Sequence, residues 1–377
     1  MRAARPGTSR AGLTLRVVRE GAQLAALSAE WADLYARSSA ATPFQSYGWL
    51  SSWWRVYGTP GRLRVFLAHR DGRLVAAAPL RLEHRFGCRV LTPVGGGQSD
   101  FTDIVVDDSE GDAGLRDLRA GLLAQPGWDV IDLPEARPGA AIRRLAEIWD
   151  GRAWTLPAST CLQLPGRPIE QVLTALPSRR FRQHVRAALR KLDALDLSVT
   201  AVEADRVRAS AAELLRLHTM QWESRAINAQ HTQPRFLEHL AGAAQALVAE
   251  NHAALWEYRV DGRLLACDFS VIGKDFVGGY LYGVHPDLRA RADLVTMLLR
   301  TNLALTHRLG KPVLSMLRGD EPHKARWEAE AVVNQRVMLG RGSRAAAYAA
   351  MAGVRRAGGE LLKRRCPRLA ERISAWR

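Results

Sequence analysis

Within residues 253–327, Asp268, Tyr280, His323 and Lys324 stand out among the side chains able to move protons or hold anions. Asp268 lies inside the apolar run 264–272. Loss of hydration there raises a carboxylate pKa towards the range useful to a general base. The same placement suits a buried, hydrogen-bonded carboxylate, and both readings stand. His323 titrates near neutrality when unperturbed, and Glu321 is a third candidate base. Lys324, in the elbow Arg318-Gly319-Asp320-Glu321-Pro322-His323-Lys324, suits a substrate anion or a carboxylate at a sheet end. Tyr280 and Tyr282, two apart in an expected strand, point the same way, as a thiolate-protonating group or as core.

These residues need a sheet and a helix to place them. Residues 254–259 and 264–272 flank Asp261-Gly262, a strong short-range hairpin signal. Lys274-Asp275 makes a second turn, and residues 277–284 a third strand. A helix is expected from about residue 291 to 309, followed by Gly310-Lys311-Pro312 and a strand at 313–317. The first turn of a helix leaves backbone N–H groups unpaired, so a sheet feeding a helix start is a ready anion site. Arg289, Arg291 and the small Ala292 stand at that start, which points to a phosphate-bearing cosubstrate.

The formal charge of +16 would suit nucleic acid or a membrane surface, but it is localised. Residues 178–191 contribute +6 and residues 342–377 contribute +7, thirteen of the sixteen charges. The first run reads as a helix whose arginine face is a solvated surface or a seat for an RNA backbone. No aromatic residue interleaves its arginines, so base stacking has no support. Four scattered cysteines give no metal spacing and no disulfide framework. No apolar run is long enough to span a membrane and no signal segment is read at the start, so the expected location is the cytoplasm.

At 377 residues two domains are expected. The reading is a disordered leader over 1–12, an N-terminal domain over 13–165, a C-terminal domain over 166–342 and a basic helical tail over 343–377. Asp71-Gly72-Arg73-Leu74 repeats as Asp261-Gly262-Arg263-Leu264, each between two apolar strands and after two helical segments. Gly95-Gly96-Gly97 permits close approach of backbone to a ligand, but the next run reads as a strand, against a phosphate loop. Asp100 and Asp103 beyond it are solvated turn carboxylates or the edge of a substrate cleft.

The runs Leu264-Leu265-Ala266-Cys267-Asp268 and Gly279-Tyr280-Leu281-Tyr282-Gly283, with the elbow through Trp327, resemble GNAT-type acetyltransferases of the CelD/BcsL (cellulose-biosynthesis-associated, BioF2-like) group. That group is similar in plan to the FemAB aminoacyl transferases. Pro43-Phe44-Gln45-Ser46-Tyr47-Gly48-Trp49-Leu50 and Gly95 to Asp103 resemble its earlier signatures. The resemblance implies an α/β (α+β) fold of two GNAT-like halves, each a mixed, mostly antiparallel sheet flanked by helices. It implies an N-acyltransferase using acetyl-CoA or another acyl-CoA, and no metal, on a small-molecule amine or amino sugar, linked to polysaccharide or cell-envelope biosynthesis. Trp222 and Arg225 are then substrate-binding. Where GNAT enzymes cradle pyrophosphate with a glycine-bearing loop, this chain reads Arg289-Ala290-Arg291-Ala292-Asp293-Leu294. Two rival readings follow: a FemAB-like transferase taking aminoacyl-tRNA on the 178–191 face, and a non-catalytic scaffold acting through its basic tail.

Overall fold

A computed structural model describes residues 12–222, 230–319, 324 and 326–365. The leader through residue 11, His323, Arg225 and the end of the tail lie outside the described residues, as does the side chain of Trp222. The chain divides into two compact units. The first gathers residues up to 158 with 334–356, the second residues 159–333.

Both Asp-Gly turns form. Asp71 and Gly72 (φ 50° and 79°) join β2 (Leu63–Arg70) to β3 (Arg73–Arg85), and Asp261 and Gly262 (φ 52° and 74°) join β9 (Ala253–Val260) to β10 (Arg263–Ile272). Positive φ at both central residues matches the right-handed twist of the flanking strands. In the first unit β1 (Leu13–Val18), β2, β3 and β4 (Cys88–Pro93) are successive antiparallel neighbours. β4 then runs parallel to β6 (Val130–Ala136), and β6 antiparallel to β13 (Glu330–Gly340). The expected strand after the glycines shrinks to β5 (Val105–Val106), paired to β3.

The second unit repeats the order. β8 (Leu197–Ala201), β9, β10 and β11 (Phe276–Val284) are antiparallel, β11 is parallel to β12 (Val313–Arg318), and β12 is antiparallel to the end of β7 (Arg152–Pro165). In each unit the last strand thus comes from beyond the half-sequence that builds the others. The contacts therefore put 334–356 with the first unit, whereas the sequence reading keeps them with the second half and the tail.

Helices cover the sheets. In the second unit α8 (Val207–Trp222) and α9 (Pro234–Ala249) cover one face; Ser210 on α8 donates to Glu257 of β9 at 2.6 Å. On the other face lie α6 (Ile169–Ala175), α7 (Arg179–Asp193) and α11 (Leu294–Arg308), packed through Val185, Leu303 and Leu314 around Tyr258. In the first unit α4 (Gly111–Ala124) and α5 (Ala141–Glu147) pack Leu118 and Leu145 on Ile131 and Leu339. The terminal helix, α12 (Gly342–Arg365), is core at its start: Ala345 and Tyr348 are buried, and Tyr348 donates to Asp132 at 2.6 Å.

Candidate active site

β11 and β12 pair only at Phe276, Val277 and Gly278 with Val313, Leu314 and Ser315. Two irregularities part them beyond that point. On β11, Ser270 faces Gly279 and Phe269 faces Leu281, so Tyr280 is the extra residue of a β-bulge, which bends its strand. On β12 the register with β7 slips between Ser315 and Arg318, and Leu317 there has φ 52°. The Leu317 side chain lies where a Cβ at Gly278 would be, 2.9 Å from its Cδ2, so the missing side chain admits it at the fork.

The open edge of β11 carries a histidine pair. His285 N donates to Leu265 O, which with the register turns the Tyr282 carbonyl away from β10. His218, on α8, lies 2.7 Å from that carbonyl through Nδ1. A carbonyl only accepts, so His218 carries its proton on Nδ1 and offers a lone pair on Nε2. His231 Nδ1 stands 3.2 Å from that Nε2 and donates to it, which leaves His231 Nε2 as the pair's acceptor nitrogen, with no partner among the described residues. The His231 ring stacks on Phe236 at 4.6 Å. Gly283 lets α8 come this close, since a Cβ there would meet Leu214 O at 2.2 Å and His218 N at 2.5 Å. Burial holds the His218 pKa low, and burial with the neighbouring His218 brings His231 down to about 4. Both rings are therefore neutral at pH 7, and the pair accepts protons rather than donating them.

Sequence reading did not single out this pair. The two residues are thirteen apart, on a helix and on the turn before the next helix, and no motif links them.

Lys324 reaches β12, the other arm of the fork, donating through Nζ to Met316 O at 3.3 Å and Arg318 O at 3.5 Å. Tyr280 is half-buried, edge-on to Phe269 at 6.0 Å. The bulge breaks the period of two, so Tyr282 shares the opposite face with Asp268 instead of pointing with Tyr280.

Asp268 lies under α11 and is 2% exposed. It accepts from Asn302 Nδ2 at 2.6 Å, while Ser270 Oγ donates to Asn302 Oδ1 at 2.6 Å. This is the buried hydrogen-bonding reading, away from the fork. Burial lifts its pKa from 3.8 to about 7, against the Asn302 and Ser270 hydrogen bonds. Between those two pH values the folded chain holds a proton that the unfolded chain has released, so this carboxyl's contribution to stability declines as pH rises. Asp268→Asn is expected to flatten that decline, with urea midpoints at pH 5 and pH 8 closer together than in the parent. An unchanged gap would assign the decline elsewhere.

The expected helix starts three residues later, as α11, behind a separate short helix α10 (Pro286–Arg291) and Ala292 in extended conformation. Arg289 and Arg291 are exposed on the six-residue α10 and do not head α11. The head of α11 is capped by Asp293, whose Oδ1 accepts from Thr296 N at 2.8 Å. A carboxylate already accepts from the Thr296 amide, and a diphosphate there would meet like charge. A shallow hollow beside it is lined by His184, Lys191, Arg291 and Asp293.

Asp103, in the first unit, is a buried cap for α5. Its carboxylate accepts from Ala141 N, Ile142 N and Ile104 N, each at 2.8 Å. All of that capacity serves the fold instead of a cleft. Asp100 is also buried, in the glycine-led loop that Trp49 and Trp53 hold through hydrogen bonds to Ser99 and Gln98. Among the described residues no group of three or more His, Cys, Asp or Glu could hold a metal, and no helix is long and apolar enough to cross a membrane.

A parallel strand pair parting after three residues, with a helix between the strands, matches what sequence comparison finds. Residues 179–325 match the acetyltransferase (GNAT) domain family. The match lies within the second unit and covers less than half of the chain. The fold is shared with the crystal structure of FemX, at 12% identity and TM-score 0.57 over 82% of this chain and 95% of that one. It is shared with the C-terminal domain of a putative lysylphosphatidylglycerol synthetase from Agrobacterium fabrum, at 13% identity and TM-score 0.51 over 89% and 97%. L-PGS from Bacillus licheniformis is similar at 10% identity and TM-score 0.53 over 84% and 92%. At such identities the likeness is one of fold. No curated protein matches the sequence.

Proposed function

We propose that the GNAT-type domain transfers an acyl group from an activated donor to the amine of a small molecule or amino sugar, at the fork between β11 and β12. The observation that carries this reading is the histidine pair on the open edge of β11, with its acceptor nitrogen free at pH 7. Beyond Gly278, β11 has no strand partner on its β12 side among the described residues, and such an edge pairs with the amides of an extended ligand as it would with a strand. His231 Nε2 orients the neutral amine by accepting an N–H, and takes that proton as the nitrogen attacks the acyl carbonyl. The bond from carbonyl carbon to leaving group then breaks. Lys324 brings positive charge to the fork's other arm, where negative charge develops. Tyr280 is assigned the proton returned to the leaving group.

The donor assigned is an acyl-CoA. Its diphosphate does not fit the head of α11, and Lys191 and Arg291 offer positive charge around the adjoining hollow. Asp293→Asn retains a capping side chain and removes the opposing charge. It is expected to tighten acetyl-CoA binding about fivefold by calorimetry, close to 1 kcal/mol. No change would place the diphosphate away from this hollow.

One observation favours a second donor. The head of α11 repels a compact diphosphate, whereas the exposed Arg186, Arg190 and Lys191 on α7 suit an extended polyanion such as an aminoacyl-tRNA. Thiol release from acetyl-CoA in the presence of an amine panel tests the first reading. No thiol release and no heat of binding, alongside salt-sensitive binding of aminoacyl-tRNA, would replace it with the second. Amino sugars are the acceptor class carried by the resemblance to CelD/BcsL proteins, with polysaccharide or envelope assembly as the setting.

A further inference from the structure

The geometry points to a second binding site on the second unit, in the groove between α7, α11 and the edge strands β8 and β9, for a monoanionic amphiphile such as a medium-chain carboxylate. The groove encloses about 560 Å³, within the range of pockets that hold small organic ligands. Leu197, Val199 and Leu195 form one apolar side, and Met297 and Leu305 of α11 the other. Nothing in the transfer reaction uses it: β10 separates β8 and β9 from the fork at β11.

Two observations give the groove a ligand chemistry. Trp256 and Tyr258 line it, and Trp256 Nε1 is buried without a hydrogen-bond partner among the described residues. Thr301 lies beside the Tyr258 hydroxyl, and its own hydroxyl donates to Met297 O at 3.5 Å. An indole N–H only donates, so its missing partner must be an acceptor. The rim adds charge. The Arg308 guanidinium lies 6.0 Å from the Trp256 ring centre, and Arg300 is paired with Asp193 at 2.6 Å. Two arginines and one aspartate leave a single positive charge over an apolar groove. A carboxylate on an alkyl chain answers each feature: an oxygen for the indole N–H, one negative charge for the rim, and methylenes for the leucine and methionine walls.

Titration calorimetry of the full chain with decanoate tests the site, with decanol and decyltrimethylammonium as probes of the head group. One decanoate per chain is expected, with decanol about tenfold weaker and the cation weaker still. Trp256→Phe keeps the ring and removes the N–H, and is expected to weaken decanoate about fivefold. Arg308→Gln is expected to weaken it about tenfold. Val199→Trp fills the groove from an exposed edge-strand position and is expected to abolish binding while thermal unfolding is unchanged. His231→Asn leaves decanoate binding as it was, which separates this site from the fork. Absence of saturable binding would overturn the assignment. So would equal binding of decanol, or decanoate binding indifferent to all three groove variants.

Discussion

His231→Asn is expected to lower kcat about 100-fold, with KM for the acyl donor within about twofold of the parent, the range general-base removal commonly gives. The side-chain amide of Asn can still donate to His218 Nε2, so the helix–strand contact survives and only the free acceptor nitrogen is lost. His218→Asn keeps a donor to the Tyr282 carbonyl but no longer fixes the His231 tautomer, and a loss of about tenfold is expected. The pH profile carries a separate signature. His231 titrates at about 4 because burial and the adjacent His218 disfavour its charged form. Acid therefore protonates the base only well below the ordinary histidine range, and kcat/KM expressed per neutral amine stays level from about pH 5 to neutrality. An acid limb at the ordinary histidine pKa would hand the base role to His323 or another histidine.

Asp103→Ala is expected to cost the first unit about 3 kcal/mol. Three backbone N–H groups lose their acceptor at once, in a site with no water access, and α5 loses its cap. Hydrogen exchange of the α5 amides is the appropriate local probe, because two units need not unfold together. Protection should fall about 100-fold in the variant. Asp103→Asn, which retains an acceptor, should lose roughly half as much free energy. Exchange at parental rates in Asp103→Ala would show that α5 is held by packing alone.

Local chemistry made part of this readable in the sequence. Asp-Gly between apolar runs demands a tight turn wherever it occurs, so both hairpins, and through them the duplication, were legible at Asp71-Gly72 and Asp261-Gly262. The strands that complete each sheet were not, because their pairing depends on partners far along the chain: Gln335 faces Ala136, and Leu314 faces Leu164. Periodicity alone ran the helix through residue 292. The cap chemistry of Asp293, whose carboxylate ends one turn and begins another helix, was the signal that the pattern obscured. Asp268 was found as a buried carboxylate, but desolvation raises a pKa equally under a helix and in a cleft. The bulge at Tyr280 turned an expected pair of tyrosines to opposite faces, and only the adjacent Gly278-Gly279 hints at it. His218 and His231 meet through helix packing at Gly283, which no spacing rule encodes.

A structure of the full chain with a hydrolysis-resistant acetyl-CoA analogue bears most directly on where the chemistry happens. The expected result is an acyl carbonyl lodged between the free edge of β11 and the end of β12, with His231 Nε2 within hydrogen-bond reach of the amine position. An analogue seated elsewhere, or a fork filled by protein side chains while the enzyme still turns over, would contradict it.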